Sequence, residues 1–181
     1  MRYLLIPFFI LLININLSAQ NYSGLISNAG DDEKFPGSDV VVIFDSTVSD
    51  VQETGLSYVT MHKLTKILTW KGAEKNAFQN FNYDPLSADI QIISARIHRK
   101  DGSVEVIDDE KIYDYPAPAR MIYWGARNKT VEFGRLEPGD AIETIAFRKG
   151  FTYALLYDDD DEKFIPPMRG HYYDIVNFWS H

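Results

Sequence analysis

The 181-residue chain sets 18 Lys and Arg against 26 Asp and Glu, a formal net charge of −8, and is 45% hydrophobic with 11 Phe, 11 Tyr, 3 Trp and no cysteine. That apolar content suffices for one core without covalent staples. The missing cysteine excludes a disulfide, a thiolate nucleophile, a thiolate zinc site and a lipidated cysteine, and basic residues scattered through an acidic chain leave no footprint for nucleic acid or an anionic membrane.

Met1 and Arg2 open the chain with positive charge, and residues 3–13 are apolar without a break. A bilayer takes about 20 such residues, so the run fits the core of a secretory signal, with the small residue Ala19 at its exit. Residues 1–19 are expected to be a signal peptide, against the bland reading of an uncleaved anchor or a buried strand. The mature chain, at −9 without Arg2, would be exported to the periplasm or beyond with no stable membrane insertion.

Residues 20–39, rich in Asn, Ser, Gly and Asp, read as a loosely held lead-in. Residues 40–157 read as one antiparallel β-sandwich of eight or so short strands. A β-branched run from Val40 to Val48 and a longer one from Leu56 to Trp70 make a first hairpin. The apolar phase slips between Met61 and Leu64, which predicts a bulge in the longer strand. Phe78, Phe81 and Tyr83 form a short aromatic segment ended by Asp84-Pro85.

A central hairpin follows, turning at Asp101-Gly102, a pair that tolerates the positive φ of a two-residue loop. Such a loop pairs His98 with Glu105 and Ile97 with Val106, placing Ala95, Ile97, Val104 and Val106 on one buried face. Pro116 and Pro118 keep residues 113–120 out of any central strand, and the segment reads as an extended crossing loop. Residues 121–124 read as a short edge strand and 129–133 as another strand. Glu137-Pro138-Gly139-Asp140 has Pro and Gly where a type II turn wants them. Strands are expected at 141–147 and 151–157. Residues 158–181 are an acidic loop and the start of a further strand, which suggests a truncated product. No window outside the leader keeps a 3.6-residue period over ten residues.

Few residues point to chemistry. His62 and His98 sit in separate strands with no partner at metal spacing, and the bland reading is a satisfied or solvent-facing imidazole. His171 and Asp174 stand three apart, a spacing that aims them to opposite sides of a strand. The run Asp158 to Glu162 lacks the glycine and spaced carboxylates of a calcium loop and reads as a solvated face. No Gly-x-Ser-x-Gly elbow and no phosphate-cradling glycine pattern occurs. No metal or cofactor is expected.

Arg120, Tyr123, Trp124 and Arg127 remain as the candidate binding residues, since aromatics and Arg are the usual contact anchors. The bland reading is an edge strand whose aromatics cover the sandwich.

Lys66-Ile67-Leu68-Thr69, Tyr83-Asp84-Pro85, Ala95-Arg96-Ile97 leading into Asp101-Gly102-Ser103-Val104, then Arg127, Val131 and Phe133, and Glu137 to Glu143 resemble, in order and spacing, a β-sandwich domain of unknown function. That domain precedes the transglutaminase-like domain of exported bacterial proteins. The resemblance covers residues 40–150 and implies a following domain with a Cys-His-Asp triad. This chain has no cysteine, so no catalytic position carries over. The expectation is a noncatalytic sandwich that positions or recognises peptide or protein for a partner catalytic domain absent from the chain. The alternative is a free-standing exported glycan- or ligand-binding module using Tyr123 and Trp124 as stacking platforms. An enzyme using carboxylates and His171 ranks below both.

Overall fold

The structure is a computed structural model that describes residues 22–52, 54–118, 125–151 and, for strand path only, 170–176. The strands are β1 (Val40–Val51), β2 (Leu56–Ile67), β3 (Phe78–Tyr83), β4 (Ala88–His98), β5 (Val104–Val106), β6 (Ile112–Pro116), β7 (Arg127–Glu132), β8 (Ala141–Phe151) and β9 (Gly170–Val176). Two short helices, α1 (Ser23–Asn28) and α2 (Trp70–Lys75), accompany them. The strands form a six-stranded sheet in the order β5-β4-β8-β2-β1-β9 and a three-stranded sheet in the order β3-β7-β6. Every described pairing is antiparallel. The chain is an all-β sandwich of two packed sheets. Among the described residues no helix is long and apolar enough to cross a membrane.

Alternation along the strands decides what lies between the sheets. Ile67 of β2, Ala95 and Ile97 of β4 and Ile142 of β8 face Val131 of β7 and the neighbouring Phe133, with Ile107 and Leu136 closing the ends. Burying side chains of this size stabilises by roughly 1.5–3 kcal/mol each.

The opposite, outer face of the larger sheet is also partly covered, and here the structure departs from the expected loose lead-in. Phe35 and Ala29 pack on Val41 and Leu68, and Tyr22 packs on Leu64 and Ala141 with Ile26, Ile43 and Phe44 around them. Lys66 Nζ donates to the carbonyls of Ile26 at 3.0 Å and Gly30 at 2.7 Å, fastening the segment to β2. A six-residue helix leaves too little periodicity to read, and its aromatic anchors stand singly among polar residues.

Three further details differ from expectation. The bulge lies in β1, where the pairing jumps from Val42 opposite Thr65 to Phe44 opposite Leu64, so the extra residue is Ile43. Trp70 starts a helix instead of ending a strand. Thr69 caps that helix, its hydroxyl accepting from the Gly72 amide at 3.0 Å and donating to Asp39 at 3.0 Å.

The third concerns the central hairpin. Arg99 N donates to Ser103 O and Gly102 N donates to Arg99 O, closing the three-residue loop Lys100-Asp101-Gly102 with Gly102 at φ +89°. This is the type I turn with a glycine bulge. The extra loop residue moves the pairing by one, to His98 opposite Val104, Ile97 opposite Glu105 and Arg96 opposite Val106. Val104 and Val106 therefore face outward, 50% and 62% exposed, while Ile97 stays in the core.

Elsewhere the turns follow the sequence. Gly139 takes φ +100° and Asp140 N donates to Glu137 O at 3.0 Å, the type II geometry. Residues 113–116, expected in a crossing loop, instead belong to β6 at the edge of the smaller sheet, which ends at Pro116, where a missing amide costs no ladder bond. The expected strands at 121–124 and beyond Phe151, the acidic run and the leader lie outside the described residues.

Candidate functional site

β4, β8 and β2 are neighbours in the larger sheet, and β8 runs between the other two. In that ladder Arg96 of β4 and Leu64 of β2 both stand opposite Glu143 of β8. Period-2 alternation puts His98, two residues from Arg96, and His62, two from Leu64, on the same outer face as Glu143. Three polar side chains thus meet over the middle strand.

Glu143 is almost fully buried, and both its oxygens are taken. His62 Nε2 lies 2.9 Å from Oε1, His98 Nε2 lies 2.9 Å from Oε2, and Arg96 Nη1 approaches Oε2 at 3.5 Å. Burial by itself raises the Glu143 carboxyl, but hydrogen bonds from His62 and His98 and the charge of Arg96 outweigh it and hold it at about 2. An ionised carboxylate only accepts, so each imidazole presents Nε2–H to it and keeps Nδ1 as an acceptor when neutral.

Tyr22 roofs this cluster. Its ring centroid lies 6.0 Å from that of His62, 5.9 Å from His98 and 5.5 Å from Phe44. Phe44 meets His62 edge-on at 4.8 Å. Burial, then the Glu143 charge, raises the Tyr22 hydroxyl above its ordinary range.

From His98 a groove of about 910 Å³ opens toward solvent, with Arg96 and Lys100 on the β4 side and Tyr22, Asp31 and Asp32 on the N-terminal side. The hairpin tip bordering it is pinned by Asp140. Its Oδ1 accepts from Lys100 N at 3.0 Å, and its Oδ2 accepts from Arg99 Nη1 at 2.9 Å and Glu137 N at 3.0 Å. The groove therefore has one fixed wall and a lining that carries both charges, Asp101 among them at the hairpin tip. Among the described residues no group of three His, Asp or Glu side chains is arranged to hold a metal ion.

Of the residues singled out in the sequence, Arg127 is described, and it belongs to the smaller sheet. Its Nε donates to Asp114 Oδ1 at 2.8 Å and its Nη2 to the Asp114 carbonyl at 3.0 Å, while Tyr83 OH donates to Asp114 Oδ2 at 2.6 Å. Its guanidinium is engaged within the fold, away from the groove. Arg120, Tyr123 and Trp124 lie outside the described residues.

His62 and His98, read in the sequence as satisfied or solvent-facing imidazoles with no partner at metal spacing, share one carboxylate. The signal that could have found it is Glu143, the one carboxylate in the largely apolar run 141–147, but no local pattern says which strands flank β8.

These features define an antiparallel β-sandwich with a His-Glu-His cluster around the buried Glu143, opening on a charged groove. Residues 53–181 match the Domain of Unknown Function with solved-structure structure, DUF3857, and the chain belongs to that family. No curated relative matches. Among solved structures, a candidate protease from Parabacteroides distasonis is similar at 15% identity and a TM-score of 0.51, over 56% of this chain and 21% of that one. This likeness is one of fold, and the chain spans about a fifth of that protein's length. A CBM3a-L domain from the scaffoldin of the Clostridium thermocellum cellulosome aligns at 12% identity with a TM-score of 0.33, over 60% of this chain and 68% of that one.

Proposed function

We propose that this chain is a noncatalytic, exported β-sandwich that holds a peptide or protein segment for a transglutaminase-like catalytic domain outside the chain. The observation that carries the reading is the groove beside His98. Its imidazole and that of His62 both end on the Glu143 carboxylate, and the chain has no cysteine for them to activate as a thiolate nucleophile. What the groove offers is shape and charge of both signs, which suits a polypeptide with its own mixed charges. The candidate protease from Parabacteroides distasonis, of which a like sandwich makes up about a fifth, supports placement beside a catalytic domain. Panning a displayed ten-residue peptide library on the full chain tests it. Enriched sequences should bind the chain, and reversing a groove charge in Lys100→Glu or Asp31→Lys should change that affinity. Failure to enrich any sequence, or hydrolysis or acyl transfer by the chain alone, would defeat the reading.

A second reading is a module for glycans. On the smaller sheet the register puts Tyr113 and Tyr115 of β6 on the face shared with Asn80 and Asn82 of β3 and Thr130 of β7, and both tyrosines are about 40% exposed. Aromatic faces among amides suit a sugar ring. Binding on a glycan array that is lost in Tyr115→Ala would favour this reading over the first.

A further inference from the structure

We infer that the outer edge of β5 is the place where an extended peptide with basic flanks joins the larger sheet as an added strand; this rests on the peptide-recognition reading above. β5 is the last strand in its sheet, paired with β4 alone. In an antiparallel ladder, residues alternate between those that exchange backbone hydrogen bonds with the neighbour and those whose amides point the other way. Arg99 N donates to Ser103 O at 2.8 Å and Ile107 N donates to Ala95 O at 2.9 Å. Residues 103, 105 and 107 therefore face β4. Val104 and Val106 turn their N–H and C=O groups outward, and among the described residues no hydrogen bond reaches them.

This edge has a chemistry of its own. The Val104 and Val106 side chains, exposed on the outer face, would lie beside the apolar side chains of an incoming strand, and Val104 also lines the groove. Residues 100–111 include Asp101, Glu105, Asp108, Asp109 and Glu110 against Lys100 and Lys111. Glu105 is spent on Arg99 and Lys111, whereas Asp101 precedes the edge and Asp108, Asp109 and Glu110 follow it, all exposed. Acidic groups at both ends of a short unpaired edge select an extended peptide with lysine or arginine beyond its central residues. A strand of three residues offers few bonds and protects the chain from self-association, so binding is modest and the register is set by the flanking charges.

The test is calorimetric titration of the full chain with three blocked peptides. One has three Thr-Val repeats between paired lysines, the second has glutamates in place of the lysines, and the third is the lysine peptide N-methylated on alternate amides. The lysine peptide should bind, with affinity falling as salt rises. The glutamate and N-methylated peptides should each bind at least about tenfold more weakly. Val106→Pro removes an outward amide without touching the bonds to β4, and should weaken the lysine peptide about tenfold with an unchanged thermal transition. Equal binding by Val106→Pro, or by the N-methylated peptide, would overturn strand addition while leaving peptide recognition intact. If the lysine peptide does not bind at all, the inference falls, and the library selection decides separately whether any peptide is recognised.

Discussion

Arg96 stands directly opposite Glu143 in the β4–β8 ladder, and their side chains meet at 3.5 Å on the outer face of the sheet. A guanidinium across from a carboxylate is a favourable cross-strand pair, but here it is one of three groups sharing the carboxylate, with His62 and His98 the others. A buried charge is tolerated only when every lone pair is used. The cluster therefore acts as a unit, and its removal exposes the cost of each partner left behind.

Glu143→Gln tests that cost. The amide keeps one acceptor and puts a donor where the other oxygen was, so one imidazole must change its tautomer and Arg96 loses its countercharge. A loss of about 2–3 kcal/mol is expected, read as a lower urea midpoint with an unchanged m-value. A change below about 0.5 kcal/mol would show that the cluster is not built as described.

The same carboxylate gives an acid limb to stability. Glu143 is held at about 2 against an ordinary 4.5, so the folded state binds its proton less readily than the unfolded chain does. Its contribution, about 3 kcal/mol, is complete above pH 4.5 and drains away as pH falls through 4.5 toward 2. Denaturant melts between pH 6 and 2 should show this slope in the native chain and a shallower one in Glu143→Gln.

Gly72→Ala sets two rules against each other. Glycine inside a helix is worse than alanine by about 1 kcal/mol, so propensity predicts a gain in α2. A Cβ at residue 72, however, would sit 2.1 Å from the Asp39 carbonyl oxygen and 3.2 Å from Val40 Cγ1. That carbonyl also accepts from the Leu68 and Thr69 amides, so it cannot withdraw without loss. The variant should melt lower than the native chain, and a higher melting temperature would refute the close approach.

How much of this was legible depends on the range of each interaction. Val40, Val41 and Val42 announce a strand, and Pro138-Gly139 a type II turn, because both are written within a few residues. The Asp101-Gly102 turn was visible too, but whether glycine sits second in a two-residue loop or third in a bulged one depends on what tightens the loop. Asp101 Oδ1 accepts from the Ser103 amide and Asp140 Oδ1 from the Lys100 amide, and the second of these comes from far along the chain. The histidine cluster was out of reach for the same reason, since His62, His98 and Glu143 become neighbours only once β8 lies between β2 and β4. Tyr22 and Phe35 were hidden because single aromatics in a polar stretch carry no period.

The register of that hairpin is directly testable by comparing Ile97→Ala with Val106→Ala. A two-residue loop would bury both side chains on one face, and both truncations would then be severe. In the observed pairing Ile97, fully buried among Ala95, Ile107 and Ile142, faces the core, while Val106 stands 62% exposed opposite Arg96. Truncating a buried isoleucine costs about 2–5 kcal/mol through lost burial and the cavity left behind. An exposed valine should change stability by no more than about 0.5 kcal/mol. Urea denaturation of the two variants should therefore separate them by at least about 2 kcal/mol, and equal losses would restore the two-residue turn.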